Sequence, residues 1–129
     1  MDKCAKNYNI NNTQIKEIKE IIDDQNTKTT FIVEDVTAEN FKSLIANGDY
    51  QLIDVRTPEE YQAGTIEDAI NLDFNGGVFE KELDKLDPNK PVLVFCASGG
   101  RSGKAKNLLK DKDFKQVYNL VGGYSQWPY

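Results

Sequence analysis

A continuous apolar run, residues 92–95, leads directly into a loop of small residues, 96–100. A run of this kind is typical of a strand that is buried on both faces of a parallel sheet. The pattern that follows predicts a helix over about residues 102–110. Cys96 is therefore predicted to lie at the carboxyl end of a buried strand and just before a helix, which is where open α/β sheets bind their ligands.

The loop has the composition of an anion-binding nest around the Cys96 thiol. Its small side chains let the backbone curl, and its two glycines can adopt positive φ, so that successive N–H groups point at one position. These groups and the dipole of the following helix would lower the pKa of the thiol and favour the nucleophilic thiolate. Arg101 adds a permanent charge and a donor fork suited to an oxyanion. The residues expected to bind substrate are Ala97, Ser98, Gly99, Gly100 and Arg101.

Four separate segments resemble motifs of the rhodanese-type sulfurtransferase family. In chain order they are Leu-Ile-Asp-Val-Arg with Pro-Glu-Glu-Tyr (52–61), Gly-Thr-Ile with Ala-Ile-Asn-Leu (64–72), the Cys-Ala-Ser-Gly-Gly-Arg-Ser loop (96–102), and Val-Gly-Gly-Tyr with Trp (121–127). The resemblance covers about residues 31–129. Several motifs in the right order are more specific than one short motif.

The resemblance implies a sulfurtransferase of the thiosulfate type in which Cys96 is the catalytic nucleophile. The thiolate would take sulfur from a small anionic donor and, as a persulfide, pass it to cyanide or a thiol, including a protein thiol. In this family the positions of Asp54 and Arg56 are mainly structural, and we expect them and Ser102 to support the site. Thr65 stands where the family usually has His.

The residues alone leave alternatives open. Asp54 and Arg56 are interpreted as a charge pair that ties the loop at the end of their own strand to Glu59 or Glu60. The alternative is that this loop borders the pocket and contacts substrate or partner. Cys96 could be a buried structural cysteine, since free cysteines are often buried, but the glycines and the arginine at this spacing favour a reactive one.

Two other functions are weighed against sulfur transfer. Cysteine phosphatases and arsenate reductases have five residues between Cys and Arg, whereas four intervene here, residues 97–100, which predicts a smaller cradle suited to a sulfur atom. A non-enzymatic module with the same fold would carry persulfide or bind a partner protein.

Composition excludes several classes of site. The net charge of −5, from 21 acidic and 16 basic residues, argues against nucleic-acid binding. The absence of histidine excludes a Cys–His dyad, a Ser–His–Asp triad and any His-ligated metal, and two cysteines cannot form a Cys-only zinc site within one chain. We therefore expect neither a cofactor nor a metal. No apolar run approaches the ~20 residues of a membrane span.

Alternating strand and helix patterns predict an α/β fold, a three-layer arrangement with a mostly parallel central sheet between helices. The predicted organisation is a polar extension over residues 1–30, with an amphipathic helix at about 13–24, and a rhodanese-like domain over 31–129. Cys4 is interpreted as an incidental thiol, a lipid-attachment site or a sulfur relay. A monomer is expected, in the cytoplasm by default or in the cell envelope if a signal segment has been removed.

Overall fold

A computed structural model describes residues 30–129 of the chain, so Cys4 and the helix predicted at 13–24 lie outside the described residues. The regular elements are β1 (Ile32–Val36), α1 (Ala38–Ala46), β2 (Gln51–Asp54), α2 (Pro58–Ala63), β3 (Ile70–Asn71), α3 (Val78–Glu82), β4 (Val92–Phe95), α4 (Gly100–Asp111) and β5 (Gln116–Leu120). Two short 3-10 helices, Leu83–Lys85 and Tyr124–Gln126, follow α3 and β5.

The strands form one five-stranded sheet in the order β1-β5-β4-β2-β3, and every neighbouring pair is parallel. The predicted α/β class with a parallel central sheet is thereby confirmed. Because β4 lies between β2 and β5, its carboxyl end is bordered by the loops that follow both neighbours. These three loops form the edge at which the chemistry-bearing residues collect.

Both faces of the sheet are covered, which accounts for the uninterrupted apolar run of β4. Val92 and Val94 pack into a cluster with Phe79 of α3 and Leu109 of α4. On the opposite face Leu93 and Phe95 pack in a second cluster that includes Phe41 of α1. All four β4 side chains are fully buried, so a polar residue within the strand would lose its water without gaining a partner.

Helix starts follow the capping residues that the sequence offers. The side chain of Thr37 accepts a hydrogen bond from Asn40 N at the start of α1. Thr57 and Glu60 form a reciprocal capping box at the start of α2, with Pro58 in the first turn. None of the helices within residues 30–129 is both long and apolar enough to cross a membrane.

One boundary differs from the sequence prediction in a way that matters for the site. Helix α4 begins at Gly100, two residues before the predicted start, and Gly99 precedes it with φ of +110°. A left-handed residue here lets the chain turn from the strand into the helix within a few residues. Ser102 therefore lies inside the first turn of α4 and is fully buried.

Candidate active site

The Cys96 thiol lies at the carboxyl end of β4 and receives hydrogen bonds from the loop that follows it. The Gly99 N–H donates to Sγ at 3.1 Å, and the Ser102 hydroxyl lies 3.4 Å from the same atom. Cys96 is only 1% exposed, whereas Ser98 and Gly100 in the loop are exposed. The thiol thus lies at the bottom of a short loop whose donors are directed inward.

Two opposing effects act on the pKa of the Cys96 thiol. Burial acts to raise it, because the charged thiolate is poorly solvated there. Hydrogen bonds from the Ser102 hydroxyl and from the backbone N–H groups of Ser102, Gly99 and Ser98 act to lower it, and together they outweigh burial. The pKa therefore lies below its ordinary value, as expected for a reactive cysteine.

Gly123 and the two residues after it support this loop from the side of β5. Tyr124 N donates to Cys96 O at 2.7 Å, and Ser125 N donates to Ala97 O at 2.9 Å. Gly123 has φ of +62°, and a Cβ atom there would lie 2.5 Å from the Cys96 and Ala97 carbonyl oxygens. The backbone can approach so closely only because residue 123 has no side chain. Sequence reasoning placed this segment in a motif but did not identify its contact with the loop.

Asp54 and Arg56 form a buried ion pair at the end of β2. Arg56 Nη2 lies 2.7 Å from Asp54 Oδ2, Arg56 Nε donates to the same carboxylate, and Nη2 also donates to Gly64 O at 2.6 Å. The guanidinium lies over the Tyr124 ring at 4.5 Å. Burial acts to lower the pKa of Arg56, but the Asp54 hydrogen bonds and charge outweigh it and raise the pKa.

The sequence interpretation expected this charge pair and also expected it to tie the loop after β2 to Glu59 or Glu60. The charge pair is present, but the expected link to Glu59 or Glu60 was wrong. Arg56 is held by Asp54 and by the Gly64 carbonyl, at the carboxyl end of α2, and Glu60 pairs elsewhere. The physical reason is the capping box, which holds the Glu60 carboxylate near Thr57, where it faces α4.

Thr65 takes part in the same network. Its hydroxyl donates to Asp54 Oδ2 at 2.9 Å, so the threonine satisfies a buried carboxylate oxygen that Arg56 also contacts. Asn71 completes the arrangement by donating to the backbone carbonyls of Asp54 and Arg56. Thr65, which stands where the resembling family usually has His, thus still supplies a hydrogen-bond donor to the Asp54 carboxylate.

Arg101 is engaged by a carboxylate that sequence reasoning did not assign to it. Its Nη1 and Nη2 donate to the two Glu60 oxygens at 2.8 and 3.2 Å. The Arg101 hydrogen bond lowers the pKa of Glu60 to about 2, with further help from Thr57. The pKa of Arg101 is raised by Glu60 first of all and also by the charge of the nearby Cys96 thiolate. The Arg101 guanidinium therefore interacts electrostatically with both the Glu60 carboxylate and the Cys96 thiolate.

No group of three or more His, Cys, Asp or Glu side chains is arranged to hold a metal ion in the part of the chain that the structure describes. The structure brings together at one edge all the residues predicted for the site, namely Cys96, Ala97, Ser98, Gly99, Gly100, Arg101 and Ser102 in the loop and helix start, and Asp54 and Arg56 after β2. It adds Glu60, Gly123 and Tyr124 to them.

Comparison with known proteins identifies the family. The family model described as a rhodanese-like domain matches residues 37–128, so the chain belongs to the rhodanese-like domain family. This confirms the resemblance drawn from the four motifs.

Among curated relatives, the thiosulfate sulfurtransferase GlpE of Coxiella burnetii is 33% identical over 84 residues, which are 65% of this chain and 77% of the relative. The tRNA uridine(34) hydroxylase of Pelagibacter ubique is 39% identical over 89 residues, 68% of this chain. That match spans only 30% of the hydroxylase. Among solved structures, the human single-domain sulfurtransferase TSTD1 is 27% identical with a TM-score of 0.65, covering 78% of this chain and 96% of TSTD1.

Proposed function

We propose that this chain is a sulfurtransferase that moves sulfane sulfur from a small anionic donor to a thiophilic acceptor through a persulfide on Cys96. The observation that carries the proposal is the Sγ atom with a lowered pKa, held by the Gly99 N–H at 3.1 Å and the Ser102 hydroxyl at 3.4 Å. The similarity to GlpE and TSTD1 supports the same reaction class.

In the first half-reaction the Cys96 thiolate attacks the outer sulfur of the donor. With thiosulfate, the new bond joins Sγ to that sulfur, and the sulfur–sulfur bond of the donor breaks. The electron pair of that bond leaves with sulfite, so the products are a Cys96 persulfide anion and one sulfite dianion. Inward N–H groups of the loop stabilise the added negative charge on the terminal sulfur.

In the second half-reaction an acceptor thiolate or cyanide attacks the terminal sulfur of the persulfide. The bond to Sγ breaks, its electron pair returns to Cys96, and the acceptor leaves as a persulfide or as thiocyanate. No proton, oxidant or metal is needed in either step. Two half-reactions that share one covalent intermediate predict ping-pong kinetics.

The remaining predicted residues have roles consistent with this chemistry. Ala97 to Gly100 supply the curled backbone, and Ser102 supplies a hydroxyl donor to the thiolate. The buried pair of Asp54 and Arg56 holds the neighbouring loop in position. The pairing of Arg101 with Glu60 weighs against a phosphatase or arsenate reductase, because the guanidinium is already occupied by a carboxylate.

Intact-mass measurement of the reduced protein after incubation with thiosulfate tests the proposal. We expect a gain of one sulfur atom that cyanide removes. Cys96→Ser should abolish the gain, and Cys4→Ser, the matched control at the second cysteine, should retain it. A gain that survives in Cys96→Ser would refute the assignment. Persulfide formation without turnover to cyanide or thiols would instead indicate a carrier module.

A further inference from the structure

We propose that the Glu60 carboxylate makes the site select sulfur donors by their charge. The site then prefers monoanionic sulfane donors, such as thiosulfonates and thiol persulfides, over dianionic thiosulfate. This inference rests on the proposed sulfurtransferase function and names the donor class for the same site. It follows from the bidentate pairing of the Glu60 carboxylate with Arg101.

The pairing engages both terminal nitrogens of Arg101 in a bidentate contact of the kind that would bind an anionic donor. A guanidinium binds oxyanions through a planar fork of N–H groups. Both terminal nitrogens of that fork lie on Glu60 oxygens, at 2.8 and 3.2 Å, and the Arg101 side chain is only 22% exposed. A donor that needed the fork would first have to displace the carboxylate.

Glu60 is held in place by contacts other than that with Arg101. Its Oε1 accepts hydrogen bonds from the Thr57 N–H and from the Thr57 hydroxyl, each at 3.1 Å. Its own N–H donates to the Thr57 hydroxyl at 3.2 Å. Moving the carboxylate away from α4 would therefore break the capping box of α2. The pair is a built feature of the fold rather than a chance contact between two mobile side chains.

The charge balance around the thiol then disfavours a dianion. Arg101 is compensated by Glu60 and Arg56 by Asp54, so the two arginines at this edge contribute no net positive charge. The Cys96 thiolate itself is negative in the reacting state. A donor with two negative charges meets more repulsion there than a donor with one, and the backbone N–H groups favour both donors alike.

The experiment compares two donors that differ by one charge, thiosulfate and methanethiosulfonate. In both, Cys96 attacks the terminal sulfur, one sulfur–sulfur bond breaks, and sulfite or methanesulfinate leaves with the electron pair. With cyanide as acceptor in a ping-pong reaction, kcat/KM for the donor reports the first half-reaction alone. The quantity compared among variants is the ratio of kcat/KM for thiosulfate to kcat/KM for methanethiosulfonate.

Glu60→Gln removes the charge and keeps an oxygen for the cap. We expect the ratio to rise about tenfold, because the second negative charge of thiosulfate no longer meets the Glu60 carboxylate. Glu59→Gln is the matched control, since Glu59 is exposed on the same first turn and the change in net charge is identical. There the ratio should change less than about twofold, because exposed charges are screened by water and salt.

Arg101→Gln provides the converse measurement and does not depend on Glu60→Gln folding. It leaves the Glu60 charge uncompensated, so the ratio should fall below that of the unsubstituted protein. A ratio that stays constant in both variants, or rises equally in Glu59→Gln, would overturn the inference. So would an equal loss with both donors in Glu60→Gln, which would indicate a positioning role only.

The outcome also separates this inference from the proposed function. If Cys96 gains sulfur from either donor and the ratio does not respond to Glu60, sulfur transfer stands and donor selection by Glu60 fails. If Cys96 gains sulfur from neither donor, the proposed function fails and the inference fails with it.

Discussion

Two arginine–carboxylate pairs flank the candidate active site, and they differ in burial. The Asp54–Arg56 pair is almost inaccessible, with side chains 0% and 6% exposed, whereas the Glu60 and Arg101 side chains are 36% and 22% exposed. Both link chain segments at the same edge of the sheet. A buried charge must keep its partner, because water cannot replace it, whereas water partly solvates a charge in a half-exposed pair that loses its partner, so the loss costs less stability. We therefore expect the Asp54–Arg56 pair to support the fold and the Glu60–Arg101 pair to affect the reaction.

Breaking the buried pair should have the largest effect on stability. Arg56→Met leaves the Asp54 carboxylate buried without its partner, and the free energy of unfolding should fall by about 3–5 kcal/mol. Urea denaturation followed by circular dichroism measures the loss. The double variant Asp54→Leu with Arg56→Met is the control, since it removes both charges and should recover much of the loss. A small effect of the single variant would contradict the architectural role.

Gly123→Ala tests whether backbone packing supports the loop as strongly as the buried pair does. The new Cβ would lie 2.5 Å from the carbonyl oxygens of Cys96 and Ala97 at a residue with φ of +62°. Strain and overlap together should cost about 2–4 kcal/mol, and persulfide formation should slow as the loop shifts.

Gly77→Ala is the matched control for this substitution. Gly77 also has positive φ, +83°, but nothing lies within 4 Å of its Cβ position. It should show only the conformational cost of about 1–2 kcal/mol, with persulfide formation unchanged. Equal effects of the two substitutions would mean that the close approach at Gly123 is not important.

Breaking the partly exposed Glu60–Arg101 pair should affect the reaction more than the stability, the opposite of what we expect for the buried pair. Arg101→Gln should lower the free energy of unfolding by less than about 1 kcal/mol, as is usual for accessible ion pairs. The rate of persulfide formation should nevertheless fall by about tenfold, since a charge near the thiolate is lost. Urea denaturation measures the stability, and quenched-flow mass spectrometry on the same preparation measures the rate of persulfide formation. A stability loss as large as that of Arg56→Met would remove the distinction between the pairs.

The smallest expected effect is a shift in pH dependence. The Ser102 hydroxyl helps to lower the pKa of Cys96, so Ser102→Ala should raise it. Persulfide formation requires the thiolate and is lost as pH falls through this pKa, so the midpoint of the rate profile should move to higher pH. Ser98→Ala is the control, because Ser98 acts on the thiol through its backbone N–H and its midpoint should stay in place.

Local patterns predicted most of the fold. The apolar run of β4 and the alternation of strand and helix each act over a few residues, and the structure confirms both. The nest around Cys96 was also predictable, since a strand, small residues and a helix start are consecutive in the chain.

Contacts between distant segments were not predictable in the same way. Glu60 and Arg101 meet only because α2 and α4 begin at the same edge of the sheet, and the residues between them give no signal of the pairing. The Gly122–Gly123 pair was visible as a motif, but the reason for a glycine at residue 123 is the backbone of Cys96 and Ala97, against which it packs.

The sequence by itself determined the α/β class, the central buried strand and the identity of the candidate nucleophile, because those depend on short-range periodicity and on the chemistry of adjacent residues. Only the tertiary structure decided which carboxylate holds which arginine. Asp54 and Glu60 are both close to Arg56 in the chain, but the capping box turns Glu60 toward α4 and leaves Asp54 for Arg56. An ion pair depends on where two charged atoms meet in space, and parallel packing of the strands set that position.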